Sequence, residues 1–131
     1  MIEIENTQLR ILIVEDESII GLDLSFSLET LGHEVVGVVA EGKQAIVVAE
    51  AMRPDLIFMD IGLRGEMDGV EAAAAILAVR PTPVVFLSGY SDRDVAGMHA
   101  NDQNTQFLAK PIDESRLSEV VEWAVKRSHS G

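Results

Sequence analysis

Five short apolar runs, rich in β-branched residues, punctuate the chain: Ile11–Val14, Glu34–Val39, Leu56–Met59, Val84–Leu87 and Gln106–Ala109. Each is nearly continuous rather than alternating, the pattern of strands buried on both faces of a parallel sheet. Between them apolar residues recur at helical spacing. Ile20, Leu24, Leu28 and Leu31 follow i, i+4, i+8, i+11, whereas Ala45, Val48, Ala49 and Met52, and again Val70, Ala73, Ala74 and Leu77, follow i, i+3, i+4, i+7. Leu117, Val120, Val121, Ala124 and Val125 mark a last helix. The stretch between the fourth and fifth runs, "SDRDVAGMHANDQNT", offers only Val95 and Met98 at such spacing. It contains Gly97, Asn101 and Asn104, all weak helix formers, and begins with Ser91 and Asp94 placed as a capping box.

The order is a strand followed by a helix, repeated five times. That alternation predicts an α/β domain with a parallel sheet, right-handed crossovers and helices on both faces. Five strands suit an open, doubly wound sheet, because a closed eight-stranded barrel needs far more chain.

In open α/β sheets ligands bind outside the carboxyl ends of the strands. The first run delivers Glu15 and Asp16 there, the third Asp60, the fourth Ser88, and the fifth Lys110 followed by Pro111; the second delivers nothing titratable before Glu41. Singly, each has an ordinary explanation, since an acid after a strand often caps the next helix. Together they place three carboxylates, a hydroxyl and an ammonium on one rim. A core strand that ends on Asp60 among further acids makes that carboxylate costly to ionise unless a cation is held there. Hard oxygen donors without cysteine or clustered histidine favour Mg²⁺, with Mn²⁺ as the alternative. A divalent cation beside a lysine and a hydroxyl is the equipment for stabilising a transferring phosphoryl group. Asp60 then becomes the nucleophile that forms an aspartyl-phosphate.

Composition narrows the classes further. At 131 residues, 47% hydrophobic and 24% charged, the chain has the profile of one soluble domain. Its net charge of −12, with ten unclustered Lys and Arg, argues against nucleic acid as a direct partner. No apolar stretch is long enough to span a membrane, and "MIEIENTQ" lacks the basic and apolar regions of a signal peptide. There is no cysteine, so a cytoplasmic location without disulfides is expected.

The segments "ILIVEDE", "LIFMDI", "VVFLSGY" and "FLAKPI" resemble the four signature segments of the response-regulator receiver domain of two-component signalling. The likeness covers residues 9–127, with flexible ends expected at 1–8 and 128–131. It implies a flavodoxin-like, CheY-like sheet of order 2-1-3-4-5 with five helices. It further implies that Asp60 is the phosphoacceptor and a metal ligand, that Asp16 binds the metal directly and Glu15 through a water, and that the Gly62 carbonyl is another ligand. Ser88 would supply the hydroxyl, Lys110 would bridge to the phosphoryl group, and the Lys110–Pro111 bond would be cis. Phe107 takes the place of a Tyr or Phe that changes rotamer, making Ser88, Phe107 and Tyr90 the switch. Glu15 departs from the more usual aspartate, a change that a water-mediated role tolerates. The run Phe86–Tyr90 is also similar to that of the single-domain receivers nicknamed FAT GUY.

On the same resemblance the phosphodonor is a sensor histidine kinase or a histidine phosphotransfer protein. A downstream protein partner would be met by the segment Asp92–Asn104, the fifth strand and the last helix. The domain would be a monomer or weak homodimer that catalyses only its own phosphorylation and dephosphorylation, not a turnover enzyme. Rival classes fit less well. In an FMN carrier "EDESI" would repel the phosphate, and "AEGKQA" lacks P-loop spacing. A phosphatase working through an aspartyl-phosphate would want an acid where Gly62 stands. His33, His99 and His129 are too scattered for zinc. A receiver-like interaction module that takes no phosphate is disfavoured because all five chemical positions are filled.

Overall fold

The structure is a computed structural model that describes residues 7–89 and 103–130. Its elements are β1 (Arg10–Val14), α1 (Ser18–Thr30), β2 (Glu34–Val39), α2 (Gly42–Met52), β3 (Leu56–Asp60), α3 (Gly69–Val79), β4 (Val84–Ser88), β5 (Thr105–Ala109) and α4 (Glu114–Ser130). The strands form one parallel sheet in the order β2-β1-β3-β4-β5. The chain winds to one side of β1 through β2 and to the other through β3, so the point where strand order reverses lies between β1 and β3.

The strand sequences are continuous because both faces are covered. Along β1, Ile11 and Ile13 join a cluster with Leu24, Leu28, Phe58, Leu117 and Val120, while Leu12 and Val14 join Ala45, Ala49, Met59, Ala72 and Ile76 on the opposite face. Phe58 is fully buried at the centre of the first cluster. Burying a side chain of this size contributes roughly 2–3 kcal/mol. Edge strand β2 is irregular: Ile11 pairs with Val35 but Leu12 with Gly37, so Val36 is bulged out of the ladder.

Helix faces differ from the sequence expectation where a helix is apolar nearly all round. In α3 the buried residues are Gly69, Ala72, Ala73 and Ile76, whereas Ala74, expected in the core, is exposed. Its run "AAAAILAV" gives periodicity no polar face to work against. Leu31 likewise lies at the exposed C-terminus of α1 rather than in the core. On α1 itself Gly21, Leu24 and Leu28 are buried, leaving Ile19, Leu22 and Phe26 at 83%, 72% and 70% exposure. Four helices stand among the described residues where the sequence predicts five. The fifth, over 92–104, lies outside them except for a turn at 103–104, as do Tyr90, Ser91, Asp94 and His99. Helix α4 runs to Ser130, past the domain limit read from the sequence. No helix among the described residues is long and apolar enough to cross a membrane.

Candidate functional site

The ends of β1 and β3 flank the reversal of strand order, and each ends on a buried carboxylate. Glu15 continues the ladder, its N–H donating to the Val39 carbonyl at 2.9 Å, and is 2% exposed. Asp60, the last residue of β3, is 3% exposed. Two such groups need a shared counter-charge, and Lys110 provides it. Its Nζ lies 3.0 Å from Glu15 Oε1 and 3.2 Å from Asp60 Oδ1, with Glu17 Oε1 at 4.0 Å. Lys110 directly follows β5, its N–H donates to the Ser88 carbonyl at 2.9 Å, and its peptide bond to Pro111 is cis.

Backbone donors complete the acid pocket. Gly62 N–H donates to Asp60 Oδ1 at 3.0 Å, and Glu17 N–H to Glu15 Oε2 at 3.1 Å. Asp16 turns toward the loop after β3, where its Oδ2 accepts from both the backbone N–H and the Nε of Arg64, at 3.1 and 3.0 Å. Ser88 ends β4 half-buried, opposite Ala109. Phe107, opposite Phe86, stacks on it with ring centroids 5.5 Å apart and planes 25° from parallel. The geometry therefore brings Glu15, Asp16, Asp60, Gly62, Ser88 and Lys110 to one rim; Tyr90 lies outside the described residues.

These environments set the ionisation. Burial pushes the Glu15 carboxyl up to about 7, against the opposing pull of Lys110 and with the help of neighbouring Asp60. For Asp16 burial also acts upward, but the hydrogen bonds and charge of Arg64 prevail and hold it below the usual carboxylate value. Desolvation would lower the Lys110 ammonium, yet Glu15 and Asp60 together hold its pKa above the usual lysine value.

Glu15, Asp16 and Asp60 each offer an oxygen, and the three oxygens lie within 4.8 Å of one another. An all-carboxylate donor set of this compactness fits a hard divalent cation, and the cost of a buried Glu15 beside a buried Asp60 is what such a cation would relieve.

Sequence reasoning missed three contributors. Gly69 packs its Cα against the end of β3, so that a Cβ there would stand 2.0 Å from the Asp60 carbonyl oxygen. A capping box holds the start of α3 beside it: Glu71 N–H donates to Asp68 at 2.9 Å and Asp68 N–H to Glu71 at 3.0 Å. The D-x-x-E spacing of residues 68–71 was the available signal. Arg64 had none, because an arginine in a loop reads as solvated surface.

Comparison with known proteins gives a consistent picture. The family profile described as response regulator receiver domain matches residues 11–122. The chain is 37% identical over 118 residues to the transcriptional regulatory protein PdtaR of Mycobacterium tuberculosis, covering 90% of this chain and 57% of that protein. It is 35% identical over 116 residues to the phyllosphere-induced regulator PhyR of Methylorubrum extorquens, covering 88% and 43%. It thus spans about half the length of these curated relatives. Among solved structures, the signal receiver domain of a modulated diguanylate cyclase from Desulfovibrio desulfuricans superposes with a TM-score of 0.80 at 33% identity, over 92% of this chain and 96% of that one.

Proposed function

Since this chain belongs to the response regulator receiver family, whose domains serve phosphorylation-dependent signalling, we propose that Asp60 is its phosphoacceptor and that Mg²⁺ is its cofactor. The observation that carries the reading is the burial of Asp60 at the end of the central strand, with Lys110 shared between it and Glu15. Asp16 and Asp60 would hold the metal directly, with the Gly62 carbonyl, and Glu15 through a water. Bound there, Mg²⁺ supplies positive charge against the phosphoryl oxygens.

The remaining steps belong to the chain. An oxygen of Asp60 attacks the phosphorus of a phosphohistidine, the P–N bond breaks, and the imidazole leaves with a proton from solvent. Lys110, already at 3.2 Å from the carboxylate, neutralises charge as it builds on the phosphoryl oxygens. Ser88 donates to one of those oxygens, and its movement opens space for Phe107 to turn. Hydrolysis by water returns phosphate and free Asp60, so each cycle leaves the protein unchanged and releases no product but phosphate. Output is read by a protein partner from the face that contains β5 and α4.

The phosphodonor, a histidine kinase or histidine phosphotransfer protein, lies across α1. That helix starts beside Asp16 and presents Ile19, Leu22 and Phe26 in an exposed apolar stripe that leads away from the pocket. A second copy of the chain would bring Glu17, Asp23 and Glu29 against their own like charges, whereas a donor helix with basic flanks complements them.

Intact mass after incubation with Mg²⁺ and a small phosphodonor tests the reading. The wild-type chain should gain one phosphoryl group and Asp60→Asn none; labelling of Asp60→Asn at the wild-type level would overturn it.

A further inference from the structure

One cation at the rim has no part in that scheme. Arg64 has a side chain 78% exposed, free to extend into water, yet its Nε sits 3.0 Å from Asp16 Oδ2. The same oxygen also receives the Arg64 backbone N–H at 3.1 Å. Lys110 serves Glu15 and Asp60, and Arg64 serves Asp16, so every carboxylate of the cluster faces a protein cation.

We propose that Arg64 is a tethered competitor of the divalent metal, a residue that sets the metal affinity of the site by occupying Asp16. The inference rests on the reading of Asp16 as a metal ligand. A carboxylate oxygen has two lone pairs, and two N–H donors use both on Oδ2. A metal that binds through Oδ2 must displace one donor, and the guanidinium, on its flexible side chain, is the one that can leave. A metal that binds through Oδ1 instead finds a fixed positive charge across the same carboxylate. By either route Arg64 opposes the metal.

The neighbouring loop contacts do not depend on the arginine side chain. Gly62 N–H is bonded to Asp60, and Glu66 pairs with Lys43 at the solvent surface at 2.8 Å, so the contacts on either side of Arg64 do not involve Asp16. Release of the side chain therefore breaks none of these contacts. Because the guanidinium is mostly in water, the competition is modest: its removal should tighten metal binding by about two- to fivefold.

Arg64→Gln tests this, since glutamine keeps the backbone N–H to Asp16 and removes the guanidinium with its charge and its Nε–H donor. Calorimetric titration of Mg²⁺ into the wild type, Arg64→Gln, Asp16→Asn and the double variant needs no phosphodonor and reads affinity directly. The expected result is tighter binding in Arg64→Gln and no effect of that change in the Asp16→Asn background. Equal or weaker binding in Arg64→Gln, with Asp16→Asn still impaired, would overturn the competitor and leave the metal reading intact. Wild-type affinity in Asp16→Asn would remove the ligand reading and this inference with it.

Discussion

Gly69 abuts Asp60 at the junction of β3 and α3: the space a Cβ would need is taken by the Asp60 carbonyl oxygen, 2.0 Å from the position that atom would occupy. Backbone rather than a flexible side chain is in the way, so the neighbour cannot yield cheaply. Gly69→Ala should lower stability by about 2–3 kcal/mol, the scale of a forced overpacking, and displace the Asp60 carboxylate. Denaturant midpoints check the first effect and phosphoryl labelling the second. An unchanged midpoint would mean that the junction relaxes freely.

The α1 stripe separates docking from chemistry. Leu22→Asp and Phe26→Asp stand at mostly exposed positions and should leave the fold and labelling by a small phosphodonor unchanged. Transfer from a phosphohistidine protein should slow by about tenfold, the effect of losing one central interface contact. Equal slowing with both donors would place the defect in the pocket instead of the surface.

Glu15 ties stability to pH in the metal-free protein. Its native pKa of about 7 stands above the ordinary 4.5, so between those values the folded chain binds more protons than the unfolded one. Stability therefore falls as pH climbs through this window, by roughly 1–3 kcal/mol. Glu15→Gln should lack that decline in denaturation curves taken from pH 4.5 to 8. Saturating Mg²⁺ should flatten the wild-type curve, because the metal favours the ionised carboxylate.

His33 works in the opposite sense at the far end of the sheet. Its Nδ1 accepts the Leu9 N–H at 3.0 Å, and burial holds its pKa below the usual histidine value. The unfolded chain therefore takes up the proton first, and the stability His33 contributes is present above about pH 6.5 and lost as pH falls below it. His33→Gln should remove this acid-side loss, visible as the difference between the two stability curves; parallel curves from pH 5 to 8 would rule the residue out.

The fold was legible because the pattern of this chain is unambiguous where burial is complete. Runs such as Leu56–Met59, buried along their whole length, have to be apolar on both faces, and the reading of a parallel sheet with its order followed from that and from the resemblance. Helix faces were less legible where composition erased contrast, as in the alanine run of α3. The acids and Lys110 of the rim could be read because strand ends converge in any sheet of this topology. Arg64 and Gly69 could not, since one depends on how a loop folds back and the other on a backbone contact that no residue spacing encodes.

The reach of Lys110 has a consequence for the chain as it is made. The residue follows the edge strand β5, yet it neutralises acids on β3 and β1, across the intervening β4. Chain emerging from a ribosome presents Glu15, Asp16 and Asp60 long before Lys110 arrives. Until then the pair has no ammonium to share, so closing the central strands over both ionised acids carries an uncompensated desolvation cost. A chain cut before β5 therefore lacks the ammonium that Glu15 and Asp60 share, and only a proton or a cation from solution is left to offset the two acids.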